Sequence, residues 1–403
     1  MSTSTDDRLP RRATIALGLV TIVGFGAWFY GYGVLLEPIR QETGWPESLL
    51  SSVYGISLFG SGVLATVAGR LLHRLGSRLV YGFGSVGVLA AYLALAASDG
   101  PVWFAVTGAV AGSLTGALGY YAAVHTVIAQ LSPVGRRAGA ITNNTLWGAF
   151  ASPIFLPLMA WMVVGYGWRP ALRIAGVAVA VGFALVAIVV PGSRGEAGTT
   201  PSLRAAFVSA SRDRVILRLL GSTFAGGFAT SLLILYQVPV MVTAGLTLAI
   251  ASALAGARGF LQLAGRVPMP WLISRFGSRS TLRIAHVLIG VSCLILPFGG
   301  TVPPALAFAV VAGVAMGALV PVESIFSADA VSIDSLGVIL GVASLTRGLG
   351  AALGPVLGGT LTSVAGSRTP ALLVAGGVAA GAALLVPVLR RPHVEGARQV
   401  TGG

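Results

Sequence analysis

The chain has 403 residues, of which 55% are hydrophobic and only 9% charged. A soluble domain carries about 25% charged residues, so too few remain here to hydrate a globular surface, and the bilayer is the natural solvent. The net charge of +14 rests on arginine alone, and the arginines fall in gaps between apolar runs rather than in a basic stripe with interleaved aromatics, which argues against a nucleic-acid partner.

Arg8, Arg11 and Arg12 precede an apolar run from about 13 to 36. The run is too long for a signal-peptide core and no cleavage site follows, so it reads as a retained first helix. Tyr30 and Tyr32 are its polar candidates for a solvated interior. Runs of about membrane-spanning length follow at 48–69 and 79–98. Within the latter, Gly82-Phe83-Gly84-Ser85-Val86-Gly87 fits G-x-G-x-x-G, but no strand precedes it, so it reads as helix packing and not as a dinucleotide site. The run 102–130 carries His125, read as a packing residue or a proton site. Asn143 and Asn144 lie in 138–164, and 170–190 is the sixth run.

A polar break at 191–214 holds Pro191, Gly192, Gly195, Gly198 and four arginines. Six more runs follow: 215–241 with Tyr236 and Gln237, 247–273 with Arg258 and Arg266, 280–298 with His286 and Cys293, 304–327 with Glu323, 336–362 with Arg347, and 370–389. One cysteine builds no disulfide framework, and four scattered histidines have no metal-ligand spacing. No Walker loop, nucleophile elbow or acid–base pair is present. No enzyme activity, metal or cofactor is expected, and the lack of a nucleotide site points to secondary transport.

An even number of spans places both termini on one side. Nineteen of the 26 arginines fall on that side, against Arg40, Arg169, Arg173 and Arg368 opposite; Arg258, Arg266 and Arg347 lie inside spans. Positive residues stay cytoplasmic, so both termini and the linker at Arg204 are expected in the cytoplasm, with the protein integral to the cell membrane.

The chain also repeats. Leu71-Leu72-His73-Arg74-Leu75-Gly76-Ser77-Arg78 answers to Leu272-Ile273-Ser274-Arg275-Phe276-Gly277-Ser278-Arg279, 201 residues later. Ala111-Gly112, Gly116-Ala117-Leu118, Gly26 and Pro38 have counterparts at the same offset, Gly148 and Pro153 at 202, and Pro170-Ala171-Leu172 at 200. A parallel repeat of six spans predicts an all-α membrane protein of twelve helices in two pseudo-symmetric bundles, 1–190 and 215–403, joined by a cytoplasmic linker at 191–214.

The segment Gly69-Arg70-Leu71-Leu72-His73-Arg74-Leu75-Gly76-Ser77-Arg78 resembles the G-x-L-A-D-R-x-G-R-R signature of the major facilitator superfamily. His73 stands where that signature has Asp, so the gating charge network implied by the resemblance, which would include Arg74 and Arg78, must be altered. Tyr32-Gly33-Val34-Leu35-Leu36-Glu37-Pro38-Ile39 with Gly44-Trp45, and Arg136-Arg137-Ala138-Gly139-Ala140 through Gly167-Trp168-Arg169, are similar to the monocarboxylate transporters and the oxalate/formate antiporter group. The helix 1 Lys and helix 8 Asp of proton-coupled monocarboxylate carriers are replaced here by Tyr30 and Leu254. The oxalate/formate resemblance implies basic residues of helices 8 and 11 around a carboxylate substrate.

Charges inside spans cost at least about 2.5 kcal/mol at the bilayer centre, so they point to function. Arg258 and Arg347 each lie about 11 residues into their helix, near the midplane. With no acid at that depth they are expected to form an anion site, flanked by Tyr30, Tyr32, Asn143, Asn144, Tyr236 and Gln237; pairing with Glu323 is the structural alternative. Arg266 and Glu323 are expected as a gating ion pair, and Glu323 is also the candidate proton-coupling carboxylate. The leading expectation is a monomeric secondary transporter of a small organic anion, coupled to protons or a counter-anion. Efflux of drug-like or amphipathic solutes and a non-transporting membrane sensor are the alternatives.

Overall fold

The computed structural model describes residues 10–192, 213–330 and 333–388. Most of the linker, including Arg204, and both terminal segments lie outside the described residues.

The described residues form twelve apolar helices in chain order: α1 (Arg11–Thr43), α2 (Glu47–Leu75), α3 (Ser77–Ala96), α4 (Pro101–Leu131), α5 (Arg137–Tyr166), α6 (Trp168–Val189), α7 (Arg214–Thr243), α8 (Leu248–Arg266), α9 (Met269–Phe298), α10 (Val302–Ala330), α11 (Ile333–Ala365) and α12 (Thr369–Leu385). Eleven contain a stretch long and apolar enough to cross a membrane, and α12 is a shorter apolar helix of 17 residues. Phe83, Val164, Ile188 and Leu384 are 71–77% exposed, as a lipid-facing surface requires. The lone Cys293 is buried.

Pro268, with no N–H to continue the ladder, interrupts the run 247–273 after Arg266, and the helix resumes at Met269. The backbone turns non-helical again at Gly277, within α9. The repeated loop explains the next turn. Gly76 and Gly277, 201 residues apart, both adopt positive φ (83° and 79°), a conformation that residues with a Cβ avoid.

The repeated glycines also set helix separations. A Cβ at Gly317 would lie 2.1 Å from the Gln262 carbonyl oxygen, and one at Gly227 would lie 2.3 Å from the Arg347 carbonyl oxygen. Small residues therefore bring α10 onto α8 and α7 onto α11, backbone against backbone.

Between the halves, α2 packs along α11, α5 along α8, and the end of α1 along α7. A Cβ at Gly55 would meet the Ala352 carbonyl oxygen at 2.3 Å, and one at Gly33 the Leu235 carbonyl oxygen at 2.7 Å. The Ser48 amide donates to Ser363 Oγ at 2.9 Å. These contacts close the seam towards the loops at Gly44 and Gly366. A central cavity lies towards the chain termini, where Val320 and Ser344 on its wall are exposed.

Candidate functional site

The cavity measures about 320 Å³. Phe29, Tyr30 and Tyr120 give its N-terminal half an aromatic wall, with Phe25 stacked behind Tyr120 at 4.4 Å. A π-helical turn at Phe25–Tyr30 gathers three of these aromatics on α1. The C-terminal half supplies the polar wall, including Thr230, Ser231, Gln262 and Arg347.

Arg258 on α8 is fully buried. Its Nε donates to Gln237 Oε1 at 2.8 Å, and its Nη1 contacts Met316 Sδ at 3.1 Å. The guanidinium carbon stands 5.7 Å from the Tyr30 ring centroid, within cation–π range. Nη2 has no hydrogen-bond partner. Tyr30 and Met316 are themselves on the cavity wall, so Arg258 sits directly behind it. Gln237 is held in turn by its Nε2, which donates to the Ile234 carbonyl at 3.2 Å.

Arg347 reaches the wall but is not free. It forms an ion pair with Glu323, whose other carboxylate oxygen accepts from the Thr223 hydroxyl. This corrects two expectations: an acid does stand at the depth of Arg347, and Glu323 pairs with Arg347, not with Arg266. The physical reason is the glycine contact at Gly227 together with Gly226, which brings α7, α10 and α11 close enough for Thr223, Glu323 and Arg347 to meet. Arg266, at the end of α8, has no ion pair among the described residues, and its Nε is buried without a partner.

Four expected cavity residues lie elsewhere. Tyr32 is buried and stacks on Tyr54 at 5.5 Å, its hydroxyl donating to the Leu50 carbonyl at 2.8 Å. Residues two apart on a helix do not share a face, so Tyr30 faces the cavity and Tyr32 the interior of its own half. Asn144 is buried and donates to Thr21 Oγ1 at 3.2 Å, tying α5 to α1, while its neighbour Asn143 is exposed and off the cavity wall. The Tyr236 hydroxyl sits between Ser51 Oγ (3.3 Å) and Thr362 Oγ1 (3.1 Å), in the seam between the halves. His125 stacks on Tyr121 at 5.0 Å with Nε2 unpartnered. His286 meets Ser222 Oγ through Nε2 at 2.9 Å, as a packing residue does. Among the described residues no His, Cys, Asp or Glu group is arranged to hold a metal.

The sequence reading missed the closure of the seam. Arg368, just before α12, is buried and bonds to Glu47 (Nε to Oε1 and Nη2 to Oε2, both 2.9 Å) and to Glu37 (Nη2 to Oε2, 2.6 Å). Burial disfavours its charge, but the two carboxylates outweigh burial and raise its pKa above the ordinary arginine value. Arg40 binds Glu37 from the exposed side at 2.8 Å. A second cavity, about 540 Å³, lies over this latch between Arg40, Trp45, Thr243 and Arg368. The pattern signal was available: three charges adjoining the loops of one face, on segments from both halves.

A sequence model of the Major Facilitator Superfamily matches residues 15–257 and again 219–402. The chain belongs to the major facilitator superfamily. The two overlapping matches cover nearly all of the chain, once from each half. Solved structures similar to this superfamily member share its fold at low identity. They include a mutant form of the nucleoside transporter NupG (15% identity, TM-score 0.78, covering 93% of this chain and 98% of that one). A bacterial homolog of the human lysosomal transporter Spinster, inward-facing and unoccupied, has 17% identity and TM-score 0.71 over 94% and 95% of the two chains. A POT family transporter in complex with a thioalcohol-conjugated peptide has 12% identity and TM-score 0.73 over 93% and 95%. A search of curated protein sequences found no match. In the superfamily's signature loop, His73 Nδ1 lies 3.2 Å from Gln130 Nε2, while Arg74 and Arg78 are exposed and form no ion pair among the described residues. His73, in the last turn of α2 where the signature has Asp, thus ties α2 to α4 through Gln130.

Proposed function

We propose that this protein is a secondary transporter that carries a small organic anion, a mono- or dicarboxylate, by alternating access of its two halves. The observation that carries the reading is Arg258. A guanidinium near the midplane, without a carboxylate partner and with Nη2 unsatisfied, costs at least about 2.5 kcal/mol and is retained where it serves a ligand. A carboxylate on Nη2 would neutralise it, and the planar fork suits that geometry. Arg347 would join when Glu323 releases it, which also makes Glu323 the carboxylate best placed to take a coupling proton. The similarity of the first helix and fifth-helix segments to monocarboxylate transporters and the oxalate/formate antiporter group supports the same substrate class.

The protein acts as a monomer in the cell membrane, with both termini and the linker cytoplasmic by the arginine asymmetry. In that orientation the cavity described above opens inward. The second reading, efflux of amphipathic solutes, draws on the aromatic wall of Phe29, Tyr30 and Tyr120 and on the position of Arg258 behind Tyr30 and Met316.

A thermal-shift panel on purified protein separates them. Lactate, benzoate and oxalate are set against a lipophilic cation, tetraphenylphosphonium. A saturating ligand at 100 times its Kd stabilises by about 2.7 kcal/mol. The anion reading requires stabilisation by a carboxylate that is lost in Arg258→Gln. Stabilisation by the cation alone would put efflux ahead. Counterflow of the bound anion in proteoliposomes then distinguishes a carrier from a sensor, which binds without exchange.

A further inference from the structure

Arg266 has no ion pair among the described residues, with Glu323 engaged by Arg347 instead. Its position relates it to Arg258 and not to Glu323. Arg258, Gln262 and Arg266 recur every four residues on α8, so their side chains ascend one side of the helix. At 1.5 Å per residue, Arg266 lies about 12 Å from Arg258 along the axis, with Gln262 midway. Gln262 is on the cavity wall. Arg266 lies in the last turn of α8, the end that points towards the chain termini, where the cavity opens. Both arginines carry a buried nitrogen with no partner: Nη2 of Arg258 and Nε of Arg266. The C-terminal turn of α8 favours a cation there but supplies only a fraction of a counter-charge.

We infer that Arg266 is a second anion station, at the mouth of the cavity, from which a carboxylate passes along the Gln262 amide to Arg258. This rests on the anion-transport reading above and adds a route to it. A cation at the mouth of a low-dielectric cleft concentrates anions and raises their association rate by tenfold or more. The polar amide midway gives the carboxylate a hydrogen-bond donor between the two charges, so it need not cross an apolar wall bare. The two arginines then divide the work: Arg266 governs arrival, and Arg258 governs retention.

Stopped-flow binding to the full-length purified protein tests the division, with benzoate and oxalate as the probes. Arg266→Gln should lower kon roughly tenfold and flatten its dependence on salt, while koff stays within about threefold, as for a rim charge. Arg266→Lys should restore kon, since the role needs charge and not the guanidinium fork. Arg258→Gln should abolish saturable binding. Unchanged kon and salt dependence in Arg266→Gln, or an effect confined to koff, would overturn the station while leaving the transport reading intact if Arg258→Gln still loses binding. Failure of the wild type to bind either probe, or full binding by Arg258→Gln, would overturn both.

Discussion

Glu323 on α10 holds Arg347 on α11 in an ion pair, with the Thr223 hydroxyl on its second oxygen. A carboxylate of the protein therefore occupies the fork that a substrate carboxylate would use. Glu323→Gln leaves Arg347 without its counter-charge. We expect a loss of stability of about 3 kcal/mol, the low end for a buried pair because the Arg347 side chain is 23% exposed. Oxalate should recover more of that loss than it adds to the wild type. Thermal unfolding with and without oxalate measures both, and equal oxalate shifts in the two proteins would show that Arg347 never meets the ligand.

Gln237 fixes the guanidinium of Arg258 through Nε. Gln237→Leu should weaken benzoate binding at least about tenfold, since a lost hydrogen bond to a charged group is worth about 1.5–3 kcal/mol. Gln237→Glu should do more: it offers Arg258 an internal carboxylate, so the protein should gain thermal stability while losing its response to benzoate. A Gln237→Glu protein that still responds to benzoate would place the anion elsewhere.

Arg368 bridges Glu37 and Glu47 across the seam, and all three side chains are at least 92% buried. Arg368→Gln leaves Glu37 and Glu47 with only the half-exposed Arg40 as a cation, a change of about 3 kcal/mol, the low end for a buried pair, against the closed seam. A cysteine in place of Ser51, which lies beneath the latch against Tyr236, reports the result. Its modification by a thiol reagent added opposite the termini should accelerate at least tenfold in Arg368→Gln. The native Cys293 is buried and should contribute little background. An unchanged rate would mean that the latch does not hold this face shut.

Gly55 and Gly227 make equally close backbone contacts with different consequences. A Cβ at Gly55 meets α11 of the other half, whereas one at Gly227 meets α11 of its own half. Gly55→Ala should thus favour the state open opposite the termini, with thermal stability nearly unchanged. Gly227→Ala should lower stability by about 1–3 kcal/mol, as overpacking does, without a preference between states. The Ser51 cysteine assay and thermal unfolding together separate the two. Similar effects from both substitutions would deny the distinction between seam and bundle.

The spans and the repeat were legible in the sequence because the bilayer imposes length and hydrophobicity on every helix. Which side chains meet was less legible. Glu323 pairs with Arg347 because glycines let three helices approach, and that depends on helix rotation, which a sequence of apolar residues barely encodes. Tyr30 and Tyr32 were both expected at the cavity, but residues two apart on a helix face different sides, and only Tyr30 lines it. The interruption at Pro268 was not foreseen because the apolar run continues past it. Arg368 was counted for topology and not for chemistry, since its partners lie 321 and 331 residues away.

The seam between the halves has a thermal consequence. Where Gly33 and Gly55 abut the carbonyls of Leu235 and Ala352, separation wets peptide groups as well as side chains. Hydrating amides lowers the heat capacity and hydrating hydrocarbon raises it, so the two contributions tend to cancel when the seam parts. A seal built from backbone opens with little change in heat capacity. The ratio of its two states then follows an almost straight van't Hoff line, and the balance drifts far less between cold and warm membranes than one set by a plug of apolar side chains.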